Sequence, residues 1–283
     1  MSTGMRRKLV KQGPSSLTVS VPSEWIKANK LKAGDDVLMK IDQNGLLIMP
    51  EAHDESGPTI SLDIRGHSDL FIGHLLSALH KKGYEEVRLT ITRRQVAIIE
   101  QRVSKHLLGY EIVQQTGDVL VIRFVTRVNA DELPVLIRRS FLVTLALADG
   151  VAHAGDTEQL LVLEETNNRL TNYCERVLVK NAHQQANPVF QYLFVWLLEK
   201  IADGYRDIIK QQVERNDADA ETCNALLKEL YEIYYKYTSE RHDAFLCDLE
   251  RYTRDFAARR TPFLSILQAL RETTGALMAI HAA

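Results

Sequence analysis

The sequence predicts a multidomain α+β protein in which a β-rich segment, a small α/β unit and an all-α body follow one another. Short runs near the N-terminus alternate apolar and polar residues, strand and helix periods then take turns, and helical periodicity prevails afterwards. The predicted domains are residues 1–55, 56–128 and 129–283. A chain of 283 residues is long enough for two or three domains.

Charge is distributed unevenly along the chain. The whole protein has a formal charge of -2, which argues against a general nucleic-acid binder. Residues 1–40, however, contain eight lysines and arginines against three acidic residues, a charge of +5, which leaves -7 for the remainder. A basic segment on an acidic body indicates an anionic partner at one end of the molecule.

Cysteine usage and hydropathy favour a reducing, cytoplasmic location. Cys174, Cys223 and Cys247 are odd in number and widely spaced, which predicts buried thiols and neither a disulfide framework nor a zinc ribbon. The N-terminus lacks the apolar stretch of a signal peptide, and no apolar run approaches the roughly 20 residues of a membrane span. We therefore expect no membrane insertion.

The first 55 residues predict two small hairpins and one short helix. The expected elements are strands 6–10 and 17–21, a helix capped by Ser23, and strands 37–41 and 46–49 joined by Gln43, Asn44 and Gly45. Four short strands and one helical turn bury too little apolar surface to fold alone. We expect this unit to be completed by a second copy.

Specific residues of this stretch resemble those of the AbrB/SpoVT/MazE family of swapped-hairpin DNA-binding domains. The matching positions are Gly13 and Ser15 in the first turn, Val21, Pro22 and Trp25 at the helix, and Leu31, Gly34 and Asp35 in the next turn. The resemblance implies a homodimer in which two chains interleave their hairpins into one β-barrel. It also implies that basic residues on the N-terminal strands and loops contact DNA.

The candidate DNA-binding residues follow from this charge and motif. A two-stranded ribbon fits the major groove, and arginine can reach guanine edges there. The predicted contacts are Arg6, Arg7, Lys8, Lys11, Ser15 and Ser16, with Lys27, Lys30 and Lys32 as a second group. One alternative is that the first cations only protect an edge strand from aggregation. Another is that the second group forms a solvated helix face.

Residues 56–128 predict a compact β-α-β-α-β-β unit. The expected strands are 59–64, 87–91, 110–115 and 119–124, and the expected helices are 70–80 and 95–108. Neither GxxxxGK[ST] nor GxGxxG occurs. The histidines, His67, His74, His80 and His106, lack a metal-ligand spacing and are interpreted as surface or helix-face residues. This unit is predicted to be a spacer or a small-ligand module.

The remaining residues predict an all-α bundle with one acidic motif. Helices are expected at 133–151, 160–179, 189–213, 222–237, 242–258 and 263–281. Glu199 and Asp203 lie four residues apart, so both carboxylates leave one helix face and could share a cation with a second pair. The alternative is an acidic surface or salt bridges to Lys200 and Arg206.

The stretch Leu198–Asp203, L-E-K-I-A-D, resembles the metal-binding E/D-x-x-x-D motif of the PhoU family of phosphate uptake regulators. The resemblance implies a divalent or iron-type metal ion as cofactor, held by Glu199, Asp203, Glu164 and Asn168. Asn168 stands where that family has aspartate, which removes one anionic ligand. The body is therefore interpreted as a PhoU-like helical bundle with a weakened metal site.

Taken together, the domains are similar to archaeal PhoU-like regulators. The resemblance implies a dimeric, DNA-binding transcriptional regulator of phosphate uptake whose body senses or relays phosphate status. The alternative is a protein-interaction regulator of a phosphate transporter or sensor kinase, in which the N-terminal domain serves only for dimerisation. No pairing of a nucleophile with a base is visible, so we expect no catalytic residues and no enzyme.

Overall fold

The computed structural model describes residues 5–42, 45–50, 57–126, 130–211 and 216–282. The chain divides into two compact units, Met1–Glu55 and Ser56–Ala283. The first is called the head and the second the body. No helix within the described ranges is long and apolar enough to cross a membrane.

The head consists of two antiparallel hairpins around a short helix. Its elements are β1 (Val10–Gln12), β2 (Ser16–Thr18), α1 (Ser23–Ala28), β3 (Val37–Asp42) and β4 (Gly45–Pro50). β1 pairs with β2 and β3 with β4, and the described residues show no pairing between the hairpins. The predicted turn residues Gln43 and Asn44 lie outside the described residues.

Three local predictions for the head differ from the structure. The second strand is Ser16–Thr18 and not residues 17–21. The paired part of the first strand is Val10–Gln12, and not residues 6–10, because the turn places Gln12 opposite Ser16 and the pairing ends at Val10 and Thr18. The cap of α1 is Pro22, whose carbonyl accepts a hydrogen bond from the Ile26 amide at 3.1 Å. Ser23 is instead the first helical residue.

The head has no buried core of its own. None of its described side chains is buried, and Trp25 and Ile26 of α1 are only half-buried. Its exposed large apolar residues are Met5, Leu9, Val10, Leu17, Val19, Val37, Leu38, Met39, Ile41 and Leu46. So much apolar surface on about fifty residues needs a partner to cover it.

The body begins with a four-stranded sheet covered by two helices. Its elements are β5 (Thr59–Asp63), α2 (Asp69–Lys81), β6 (Glu86–Thr90), α3 (Gln95–His106), β7 (Tyr110–Thr116) and β8 (Val119–Phe124). The sheet order is β5-β6-β8-β7, with a parallel first pair and antiparallel pairs after it. Ile72, Leu76, Leu89 and Ile122 belong to the core between sheet and helices.

Long helices complete the body. They are α4 (Leu133–Ala152), α5 (Thr157–Lys180), α6 (Pro188–Gln211), α7 (Asp217–Tyr235), α8 (Ser239–Arg259) and α9 (Leu264–His281). Asp156 caps α5 by accepting hydrogen bonds from the amides of Glu158 and Gln159. One apolar core runs through these helices. Cys174 and Cys223 are buried as predicted, whereas Cys247 is exposed on α8.

Helix α5 joins the sheet portion to the helical portion. It packs against α4 and α6 and also against α2 and α3. Because these contacts are continuous, residues 56–283 form one compact unit, and the predicted boundary between residues 128 and 129 falls inside it.

Candidate nucleic-acid interface

The predicted DNA-contacting cations of the head lie along and just before its first hairpin. Arg6, Arg7 and Lys8 precede β1, and Lys11 lies within β1 opposite Leu17. All four are exposed. The structure thus places four basic side chains along a short run of extended chain, which is the arrangement that a phosphate backbone can follow.

The turn of this hairpin depends on Gly13. Its φ is +83°, in the region that glycine adopts without strain. Ser15 lies in the turn and Ser16 begins β2, so both predicted serines are near Lys11 in the hairpin. Thr18 secures the other end, where its hydroxyl donates to the Val10 carbonyl at 3.2 Å.

The second group of cations lies around α1. Lys27 is in its last turn, and Lys30 and Lys32 follow it. Lys30 has a φ of +54°, and the Lys32 amide donates to the Asp35 carboxylate at 2.7 Å. That carboxylate therefore fixes the backbone of the Leu31–Asp35 turn.

Within the described residues, no ion pair involves the predicted basic contacts Arg6, Arg7, Lys8, Lys11, Lys27, Lys30 and Lys32. Many arginines of the body, by contrast, are neutralised, as Arg241 is by Glu229 and Arg259 by Asp219. Among the described residues, the predicted basic contacts of the head therefore have no competing ion pair, which leaves them available to anionic polymers.

The predicted metal-binding residues are divided between two groups. Asn168 donates to Glu164 at 2.8 Å, and Arg206 donates to Glu164 at 3.0 Å and to Asp203. Lys200 also pairs with Asp203 at 2.5 Å. Glu199 lies elsewhere, with its carboxylate 3.6 Å from the Lys81 ammonium. Burial raises the pKa of Glu164, and Arg206 opposes that effect.

These residues do not fit a metal site as they stand. The Arg206 guanidinium lies between two of the four proposed ligands, a third is a neutral amide, and the fourth faces a lysine. Across the described ranges, no group of three or more histidine, cysteine, aspartate and glutamate side chains is placed to hold a metal ion. The arrangement matches the alternative interpretation, in which the acidic residues form salt bridges with Lys200 and Arg206. The metal site stays a prediction.

Sequence reasoning missed the buried charges of the body. Arg176 is 1% exposed and donates to the carbonyls of His80 and Tyr84 at 2.9 and 3.0 Å and to Glu85 at 2.8 Å. His80, interpreted as a surface or helix-face residue, is also buried, with its ring against Tyr110 and Phe124. No local pattern signalled these buried charges, because α5 packs against helices that are distant in sequence.

Comparisons with known proteins bear on the head alone. No curated protein and no solved structure matches the chain. Residues 10–56 match the family model described as antidote-toxin recognition MazE, bacterial antitoxin. The matched segment is 47 of 283 residues and contains the first hairpin, α1 and the second hairpin. The N-terminal domain of this chain is therefore a MazE-like domain, as its Gly13, Pro22, Trp25 and Gly34 motif predicted.

Proposed function

We propose that the protein is a DNA-binding transcriptional regulator that acts as a homodimer through its MazE-like head. The single observation that carries the proposal is the cluster of exposed head cations, Arg6, Arg7, Lys8 and Lys11, which form no ion pair with any described residue. Such side chains bind phosphates without a competing intramolecular ion pair. The apolar surface of the head, which its own chain leaves uncovered, supports the homodimer.

The finer proposal is that the body makes this regulator responsive to phosphate status. Its support is the resemblance of Leu198–Asp203 to the PhoU motif. The role assigned to the body is binding and not catalysis. Titrating inorganic phosphate into a complex of the full chain with promoter DNA tests this part. A change in DNA affinity is expected, and an unchanged affinity up to millimolar phosphate argues for a different effector.

The DNA proposal is tested by binding of the full chain to a duplex from the promoter of its own gene, measured by fluorescence anisotropy at several salt concentrations. The triple variant Arg6→Ala, Arg7→Ala, Lys8→Ala is expected to bind more weakly. Its log–log salt slope should shrink by about 0.9 for each lost phosphate contact, roughly 5 for six contacts in a dimer.

A matched control neutralises three exposed cations of the body, Lys236→Ala, Arg251→Ala and Arg254→Ala. It should leave affinity and slope unchanged. If the head variant behaves like this control, the cations do not contact DNA. The remaining role of the head is then dimerisation, and the alternative of a transporter- or kinase-binding regulator gains support.

A further inference from the structure

The first half of α6 exposes large apolar side chains on one side of the helix. Val189, Leu193 and Trp196 are all exposed, and their spacing of i, i+4 and i+7 places them in one row. Phe190, which is also exposed, lies beside this row. The row ends at Lys200, whose ammonium lies 5.7 Å from the centre of the Trp196 ring. We call Val189, Phe190, Leu193 and Trp196 the α6 face.

An apolar groove continues the α6 face toward the end of α5. It has a volume of about 230 Å³ and is lined by Leu178, Val179, Ala182, Pro188, Val189 and Tyr192. Tyr192 contributes its ring, since its hydroxyl donates to Glu175 at 3.3 Å. A small-molecule site is usually larger and contains several polar groups that orient the ligand. The groove is therefore better suited to an apolar side chain of a protein.

The region around the α6 face carries no charged side chain in its sequence. From Asn181 to Leu198 the chain has no aspartate, glutamate, lysine or arginine, and no other stretch of the sequence is as long without one. A charged partner would thus find no complementary group here. Two copies of a charged face would repel each other, whereas two copies of an uncharged face can be placed together without that cost.

The α6 face and its groove are complementary to each other in shape. The face offers projecting aromatic side chains, Phe190 and Trp196, and the groove beside it offers a cavity for one. In a twofold dimer, the projection of each copy can enter the groove of the other, so one surface serves both partners. This self-complementarity favours a second copy of the chain as the occupant.

The MazE-like head brings that second copy close. Such a domain implies dimerisation, and only six residues, 51–56, separate the last described residue of the head from the first described residue of the body. Two bodies joined to one head dimer by so short a connection have an effective concentration on the order of millimolar for each other. Even a weak contact between the bodies is populated under that condition.

We propose that the α6 face is a second contact between two copies of this chain, formed once their heads have dimerised. The proposal rests on the homodimer proposed above. An exposed aromatic side chain of one α6 enters the groove of the other body, and the same contact is made in reverse. The contact is too small to hold two bodies without their heads, but in the head dimer it lowers the dissociation constant.

A dilution series of the full chain in mass photometry measures its dimer dissociation constant. Leu193→Glu places a charge within the α6 face and should raise this constant roughly tenfold or more. Leu142→Glu is the matched control, because Leu142 of α4 is 49% exposed and Leu193 is 39% exposed. It should leave the constant unchanged. Equal constants for the natural protein and Leu193→Glu overturn the proposal.

Hydroxyl-radical footprinting read by mass spectrometry tests the contact without any substitution in α6. Trp196 should be oxidised several-fold more slowly in the natural dimer than in Ile41→Asp, which removes apolar surface from the head and is expected to be a monomer. Tyr235 of α7, exposed to a similar extent, should be oxidised equally in both proteins. Equal oxidation of Trp196 in dimer and monomer means that another partner or none covers the face, and overturns the proposal.

The two experiments separate this contact from the head dimer on which it rests. If Ile41→Asp stays dimeric, the homodimer through the head is wrong, and the effect of Leu193→Glu alone decides whether the α6 face holds two copies together. If Ile41→Asp is a monomer and Leu193→Glu dimerises like the natural protein, the head dimer is correct and the second contact is wrong.

Discussion

Single buried polar residues determine how the sheet portion of the body attaches to its helices. Arg176 donates hydrogen bonds to two carbonyls and to Glu85, and its guanidinium lies 3.8 Å from the centre of the Phe124 ring. The contacts connect α5 with the end of α2, the start of β6 and the end of β8. One buried side chain thus donates to three acceptor groups at the contact between the sheet portion and α5.

We expect Arg176→Met to destabilise the body by about 1.5–3 kcal/mol, because hydrogen bonds from a buried charged donor are lost while Glu85 keeps Lys180 as a partner. Urea unfolding followed by circular dichroism measures the loss. Arg254→Met, at an exposed position of α8, should change the free energy of unfolding by less than about 0.5 kcal/mol. Equal effects of the two substitutions would contradict a special role for Arg176.

The buried His80 makes the stability of the body depend on pH. Its Nε2 donates to the Leu108 carbonyl at 2.9 Å, and burial lowers its pKa from 6.5 to about 3. Below pH 6.5 this imidazole binds a proton in the unfolded chain but not in the folded chain. The free energy of unfolding therefore falls as the pH falls from 6.5 to about 3.

Glutamine at position 80 does not titrate but still has a donor for the Leu108 carbonyl. We therefore expect His80→Gln to reduce the pH dependence of the free energy of unfolding by up to about 1.4 kcal/mol per pH unit in this range. Urea unfolding of both proteins at pH 6.5, 5.5 and 4.5 provides the comparison. Parallel pH profiles for the two proteins would show that His80 is not the group that titrates.

At the scale of elements, the first hairpin relies on one backbone conformation. Gly13 has a φ of +83° with open space around it, so the constraint is conformational and not steric. We expect Gly13→Ala to destabilise the hairpin by about 1 kcal/mol or more and to weaken DNA binding. Anisotropy titration of the full chain measures the second effect.

Gly275→Ala is the matched control for that substitution. Gly275 lies inside α9, also with open space, and its φ is not positive. Alanine there should stabilise the helix by about 0.4–1 kcal/mol and leave DNA binding intact. A loss of DNA binding in both variants would point to an indirect effect of the substitutions.

The elements that hydrophobic periodicity predicts best are those with one buried face. Helices α4 and α9 begin and end within one residue of their predicted bounds, and α6 begins within one residue of its own, because their apolar stripes mark one side. The predicted end of α6, at residue 213, lies outside the described residues. The first strand was misplaced because alternation in residues 6–10 reads as a strand, whereas the pairing is determined by the turn at Gly13. The packing of α5 between two layers involves residues distant in sequence, so its buried Arg176 and Glu175 could not be located from local pattern.

In the candidate site, too, some features follow from the local sequence and others depend on packing between distant elements. Exposure and position of Arg6, Arg7, Lys8 and Lys11 follow from local composition, and the structure brings them together on one short stretch. The four proposed metal ligands depend on how α5 and α6 align. That alignment places Arg206 against Glu164 and turns Glu199 toward Lys81, which no spacing rule foresees.

At the scale of the whole molecule, the body has its own core and the head does not. Ile41 is 86% exposed within one chain, yet it lies on β3 of a MazE-like domain. We expect Ile41→Asp to prevent two heads from covering each other. The full chain should then shift from dimer to monomer in light scattering after size-exclusion chromatography, and DNA binding should be lost with it.

Val135→Asp places the same charge on an exposed apolar position of α4 in the body. It should leave both the dimer and DNA binding unchanged. A dimer that survives Ile41→Asp but dissociates with Val135→Asp would assign the association of chains to the body and contradict the head as dimeriser.

The missing core of the head has a consequence for gene dosage. A domain that folds only when it dimerises has a second-order assembly step. Its folded fraction therefore depends on the concentration of chains in the cell. At low abundance the concentration of dimeric, DNA-binding heads grows with the square of the chain concentration. The concentration of folded bodies grows only in proportion to the chain concentration. Doubling expression would then quadruple the number of DNA-binding dimers, so the rate of synthesis would itself set how much DNA is bound.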